Sequence, residues 1–218
     1  MNVLVLFISE QRYIELQVSS HFSFLRELFV AAHDLGIAAL GLLAGIVRAH
    51  EAAKATGVRL IVGCRLHLED FPSILVYPTD RLSYSRLCRL LTLGKSRAGK
   101  GKCALTFKDV EEWQQGLVGL FVSDKPSDLL AEELGKFRNA FGDRAYCALT
   151  RRFRPRDAHY LQAISDLASR ARVPTVVTGD VLYHSPARRA LQDVVTCIRL
   201  KTSIDKAGFL KERHADRF

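Results

Sequence analysis

Between Ala38 and Leu68 the chain reads AALGLLAGIVRAHEAAKATGVRLIVGCRLHL, and this order of residues leaves little choice of local structure. Leu43, Ile46, Val47, Ala52 and Ala53 recur near the 3.6-residue period of a helix, and Gly57 stands where a helix C′ glycine belongs. The run from Val58 to Cys64 is rich in β-branched residues, as a buried parallel strand requires. Strand, helix, glycine turn and strand follow one another with almost no slack, which predicts a βαβ unit and therefore an α/β fold.

The same alternation continues along the 218 residues. Strands are predicted at Ile14–Val18, Ala38–Leu40, Arg59–Cys64, Ser73–Tyr77, Leu117–Val122, Ala145–Leu149 and Thr175–Thr178. Helices are predicted at Phe24–Leu35, Leu43–Thr56, Arg81–Thr92, Lys108–Gln115, Ser127–Phe141, Arg156–Arg172 and Ser185–Arg199. Pro186, at the first position after Ser185, suits a helix start. Strands alternating with helices predict a parallel sheet, closed or doubly wound, and Gly94–Gly101 reads as a flexible loop.

An apolar content of 48% supports a sizeable core. The five cysteines, Cys64, Cys88, Cys103, Cys147 and Cys197, show no CxxC spacing, and several lie in apolar runs where a free thiol packs as a small hydrophobe. A reducing cytoplasmic setting follows as the expectation. Met1–Ile8 is apolar but lacks the basic flank and cleavage site of a signal peptide, and no run approaches the ~20 apolar residues of a membrane span.

The formal net charge is +9, and its distribution says more than its sum. Basic residues bunch in KSRAGKGK, with Lys95, Arg97, Lys100 and Lys102, and in RRFRPR, with Arg151, Arg152 and Arg154, and a lesser group runs from Arg81 to Arg89. The seven residues named in the two denser runs are the candidate nucleic-acid contacts, acting on phosphates without sequence preference and with a strong salt dependence. Solvated loops that keep the chain soluble are the competing account. Only Phe153 interleaves with the cations, so stacking on single strands is not indicated.

FSFLR, LAGIVRAH, GCRL with LLTLGK, and LQDVVTCIR together resemble the PHP (polymerase and histidinol phosphatase) domain of bacterial C-family DNA polymerases of the polymerase III alpha-subunit type, in the error-prone branch. The resemblance spans most of Tyr13–Arg217 and implies a distorted, TIM-like (βα)7 barrel over residues 13–218, preceded by an N-terminal extension over residues 1–12. Its βα connections after Arg26 and Leu40 are shorter than the family's. The polymerase body of such proteins follows the PHP domain, so the chain reads as a truncated polymerase or a relic.

PHP enzymes bind metal at strand ends, and the matching positions here are depleted. Gln17 and Ser19 replace a His-x-His pair and Arg65 replaces a glutamate, which are poor or repulsive partners for zinc or manganese. Asp180, at the end of VPTVVTGD, matches a late acidic ligand, whereas Leu182 replaces a histidine and His184 is out of register. Asp180, Glu15 and His21 remain as residual metal candidates; His21 reads rather as a loop or helix-cap histidine than as a ligand. No elbow, Walker loop or HExxH motif is present, and no catalytic residue is assigned. The expectation is a structural domain without cofactor, zinc or manganese entering only if the site is intact, with DNA and polymerase or repair subunits as partners and no membrane. The alternative is a metal-dependent phosphoesterase or 3′–5′ exonuclease of the PHP class.

Overall fold

Near-continuous burial of short β-rich runs makes the larger of two sheets. The computed structural model describes residues 14–16, 39–42, 46–99, 102–123, 126–127, 129–153, 155–181, 187 and 189–208. Its first unit contains Val62–Arg151 and Arg156–Thr178. Here β4 (Cys64–Leu66), β5 (Ile74–Pro78), β6 (Leu117–Val122), β7 (Ala145–Thr150) and β8 (Thr175–Thr178) form one sheet in chain order.

The sheet is mixed, not the all-parallel one that alternation predicts. β4 and β5 are antiparallel, with Arg65 opposite Leu75, and β5 and β6 are antiparallel, with Val76 opposite Gly119. From β6 onward the pairs are parallel, and Thr150 lies opposite Thr178. The reason is local. Seven residues separate β4 from β5, too few for the crossover a parallel pair needs, so the chain returns as a hairpin. Among the described residues neither sheet closes on itself.

The helices of this unit are α2 (Arg81–Arg97), α3 (Phe107–Trp113), α4 (Leu130–Phe141) and α5 (Asp157–Arg170). Ile74, Val76, Leu117, Phe121, Leu134, Phe137 and Phe141 are buried beneath them. Aromatic rings tie the layers: Phe71 stacks on Phe107 with centroids 4.0 Å apart and meets Phe121 edge-on, and Phe137 lies 4.6 Å from Phe141.

Helix α2 continues through Gly94, Lys95 and Arg97, where a flexible loop is predicted. Its start is fixed by a capping box: the Ser83 amide donates to Asp80 Oδ1 at 2.7 Å and the Asp80 amide donates to Ser83 Oγ at 3.0 Å. Tertiary packing overrides the helix-breaking tendency of Gly94. A β-carbon there would fall 2.5 Å from Cys103 Sγ and 2.7 Å from Leu105, so the glycine lets the following strand of chain lie against the helix.

The second unit holds the described residues up to Ile61, Arg152–Pro155, and those from Gly179 onward. β1 (Ile14–Glu15), β2 (Ala39–Leu42) and β3 (Arg59–Val62) form a three-stranded sheet, with β1 and β2 parallel. Helix α1 (Ile46–Thr56) leads to Gly57 at φ +76°, whose amide donates to Ala53 at 2.9 Å. This is the predicted strand–helix–glycine–strand run, closed by its C′ glycine. Helix α6 (Arg189–Arg199) covers LQDVVTCIR. The predicted helix Phe24–Leu35 and the connection after Arg26 lie outside the described residues.

Candidate functional site

Two parallel strands of the first unit, β7 and β8, end level with each other, and buried Thr150 and Thr178 share a hydrogen bond of 2.7 Å between their hydroxyls. In sequence, Arg152 follows Thr150 by two residues and Asp180 follows Thr178 by two, and both belong to the second unit.

Asp180 is buried and takes a positive φ of 50°, a conformation that aspartate tolerates better than most residues. Arg152 Nη1 donates to Asp180 Oδ2 at 2.5 Å, with only 10% and 3% of the two side chains exposed. Beside them Glu15, 1% exposed, accepts a hydrogen bond from the Gly179 amide at 2.9 Å through Oε2. A β-carbon on residue 179 would fall 2.5 Å from that oxygen, so only glycine allows the carboxylate to reach the backbone. Each buried carboxylate thus has a donor, the Arg152 guanidinium on Asp180 and the Gly179 amide on Glu15, as buried charge requires.

The PHP resemblance implies a metal here, and the described residues do not fit one. A divalent cation on Asp180 would meet the Arg152 guanidinium already at hydrogen-bond distance, and like charges in a buried site repel strongly. Among the described residues no three histidines, cysteines, aspartates or glutamates gather as a ligand set.

Asp180 and Glu15 are therefore brought together, with Arg152 added to them, while His21 lies outside the described residues. Arg65 is found within β4, where its Nε is buried and makes no hydrogen bond. The neighbouring His67 is exposed and shares a 2.9 Å hydrogen bond with Ser73 Oγ; desolvation, then the Arg65 charge, lower its pKa.

The basic candidates divide sharply. Arg152 belongs to the buried cluster and has no free surface to offer phosphate. Arg97, in the last turn of α2, donates to Asp109 Oδ2 at 2.7 Å. The same oxygen accepts from the Thr106 amide and hydroxyl, capping α3. Lys95, Lys102 and Arg151 are exposed, and Lys100 and Arg154 lie outside the described residues. Nothing in RRFRPR distinguishes Arg152 from its neighbours; its distance of two residues past a strand end is the only sequence signal that marks it.

The site and fold define a mixed α/β protein in which a buried aspartate is paired with an arginine of the same unit. No protein-family model matches the chain. It is homologous to error-prone DNA polymerases over nearly its whole length. Error-prone DNA polymerase 3 of Agrobacterium fabrum is 57% identical over 217 residues, which cover 94% of this chain and 20% of that protein. Error-prone DNA polymerase 2 of Rhizobium meliloti is 56% identical over 218 residues, 95% of this chain and 20% of the relative. The error-prone DNA polymerase of Caulobacter vibrioides is 42% identical over 218 residues, again 20% of its length. The chain thus spans about a fifth of the length of the curated relatives it matches. Among the described residues no helix is long and apolar enough to cross a membrane.

Proposed function

We propose that residues 13–218 are a PHP domain of the α/β-barrel type, preceded by an extension over residues 1–12, and that its role in error-prone DNA synthesis is structural. The Arg152–Asp180 pair carries this reading. An arginine paired with the late acidic residue supplies permanently the positive charge that a catalytic metal would supply, but it has no exchangeable coordination site and cannot activate water. The domain works in the cytoplasm without zinc or manganese, alongside a polymerase body of the relatives' kind and the DNA that such a body copies. Replication and repair synthesis past damage are the processes it serves.

A chimera tests this. The homologous segment of the Agrobacterium error-prone DNA polymerase 3 is replaced by this chain, and primer extension, bound metal and phosphodiester hydrolysis are measured. The expected outcome is primer extension at a level comparable to the parent's, no stoichiometric zinc or manganese on this segment, and no hydrolysis that Asp180→Ala removes. Two or three ions bound to the isolated chain, or hydrolysis lost in that variant, would instead establish the metal-dependent phosphoesterase or exonuclease.

A further inference from the structure

Helix α2 carries five basic residues, Arg81, Arg86, Arg89, Lys95 and Arg97, and no acidic residue in its 17 positions. Its inner face is apolar or small, with Ser83, Leu87, Leu90 and Gly94 buried. The cations therefore project from the remaining surface, and structure sorts them into two kinds. Arg86 donates to the Gln115 carbonyl at 3.1 Å and Arg97 to Asp109, so both are engaged in holding α2 to its neighbours. Arg81, Arg89 and Lys95 are exposed and make no hydrogen bond or ion pair among the described residues.

Folding does not account for these three together. Lys95, in the last turn, complements the negative end of the helix dipole, but Arg81 stands in the first turn, where a cation opposes the positive end. Arg89 has Ser85, Arg86, Thr92 and Leu93 at its helical neighbour positions, so no carboxylate can pair with it along the helix, and Arg86 adds a like charge. At a rise of 1.5 Å per residue, Arg81 and Arg89 are about 12 Å apart along the axis and Lys95 about 9 Å further on. A row of unpaired cations on a rigid rod, at intervals of a few phosphates, is a surface for a polyanion whose charges repeat along a strand.

We propose that the outer face of α2 binds the phosphate backbone of nucleic acid, with Arg81, Arg89 and Lys95 as the contacts. Arg81 and Arg89 come from the lesser basic group of the sequence, and Arg97 and Arg152 drop out of the two denser runs because their charges are already paired. The surface deepens the DNA partnership proposed above, and none of its residues belongs to the Arg152–Asp180 core.

The test is binding of the whole chain to a fluorescent 20-nucleotide single strand and to a 20-base-pair duplex across a salt series. Arg81→Gln, Arg89→Gln and Lys95→Gln are combined in one variant, since glutamine keeps helix propensity. A control variant combines Lys54→Gln, Lys108→Gln and Lys206→Gln, three exposed lysines elsewhere that remove the same charge. The parent's log K should fall linearly with log salt, and the α2 variant should lose about 2 to 3 from that slope on duplex while the control keeps it. Equal losses in both variants would reduce the effect to net charge and overturn the proposal. So would a parent that fails to bind either oligonucleotide at low salt. Unchanged circular dichroism and midpoint show that the variants are folded, and intact primer extension by the chimera alongside a failed salt test would sink this surface while leaving the structural role standing.

Discussion

Arg152–Asp180 and Arg97–Asp109 are the same chemical pair in two environments. In the first pair both side chains are nearly fully buried, at 10% and 3% exposure; between α2 and α3, the arginine is 46% exposed and only the aspartate, at 9%, is withdrawn from water. The first pair consumes charge that the core would otherwise have to expel. The second ties a helix end to a cap and keeps its arginine hydrated. Position thus separates a structural cation from a tethering one, although both arise in runs that read as basic patches.

The largest effect should come from breaking the buried pair. Arg152→Met leaves Asp180 buried without its counter-charge and should cost about 3 to 5 kcal/mol, whereas adding Asp180→Asn should restore much of it. A double-mutant cycle read by chemical denaturation gives the coupling, which should be at least about 2 kcal/mol here. The corresponding Arg97→Met and Asp109→Asn cycle should give a much smaller coupling, because water screens that arginine. Equal couplings would erase the distinction between the two sites.

Gly179→Ala should cost about 1 to 3 kcal/mol by driving a methyl group against Glu15 Oε2. Combined with Glu15→Ala, it should cost less than the sum of the two, since the clash disappears with the carboxylate. Simple additivity would mean that the strand-end core is looser than the geometry states.

The smallest effect belongs to the exposed pair. Asp109→Ala should lower stability at neutral pH by about 1 kcal/mol, through loss of the α3 cap and the ion pair. The hydrogen bond from Arg97 holds the Asp109 carboxyl below its usual pKa, with help from Thr106 and against the desolvation that raises it. A depressed carboxyl stabilises the folded chain above its unfolded pKa of about 3.9 and loses that stabilisation as pH falls through the folded value. The gap between parent and variant should therefore be full above about pH 5 and narrow below about pH 4. A gap independent of pH would assign the whole effect to neutral capping.

Much of this was legible in the chain itself. The 3.6-residue period before Gly57 and the β-branched run after it marked α1 and β3, and LVGLFV and TVVT marked β6 and β8 at the bounds observed. Propensity and periodicity act over a few residues, so the sequence carries them openly. Asp180 and Glu15 were singled out through the PHP resemblance, which implies ligands at strand ends.

Tertiary structure decided the rest. The antiparallel return of β5 depends on which strands pair, and the continuation of α2 through Gly94 depends on Cys103 and Leu105 lying against it. Above all, the fate of each arginine depends on what the fold brings within hydrogen-bond reach. Arg152 and Asp180 are 28 residues apart, and Glu15 and Gly179 are 164 apart. Composition specifies a charge wherever it occurs, but only the closure of distant segments removes water from around it, and burial determines whether that charge holds the core or faces a partner.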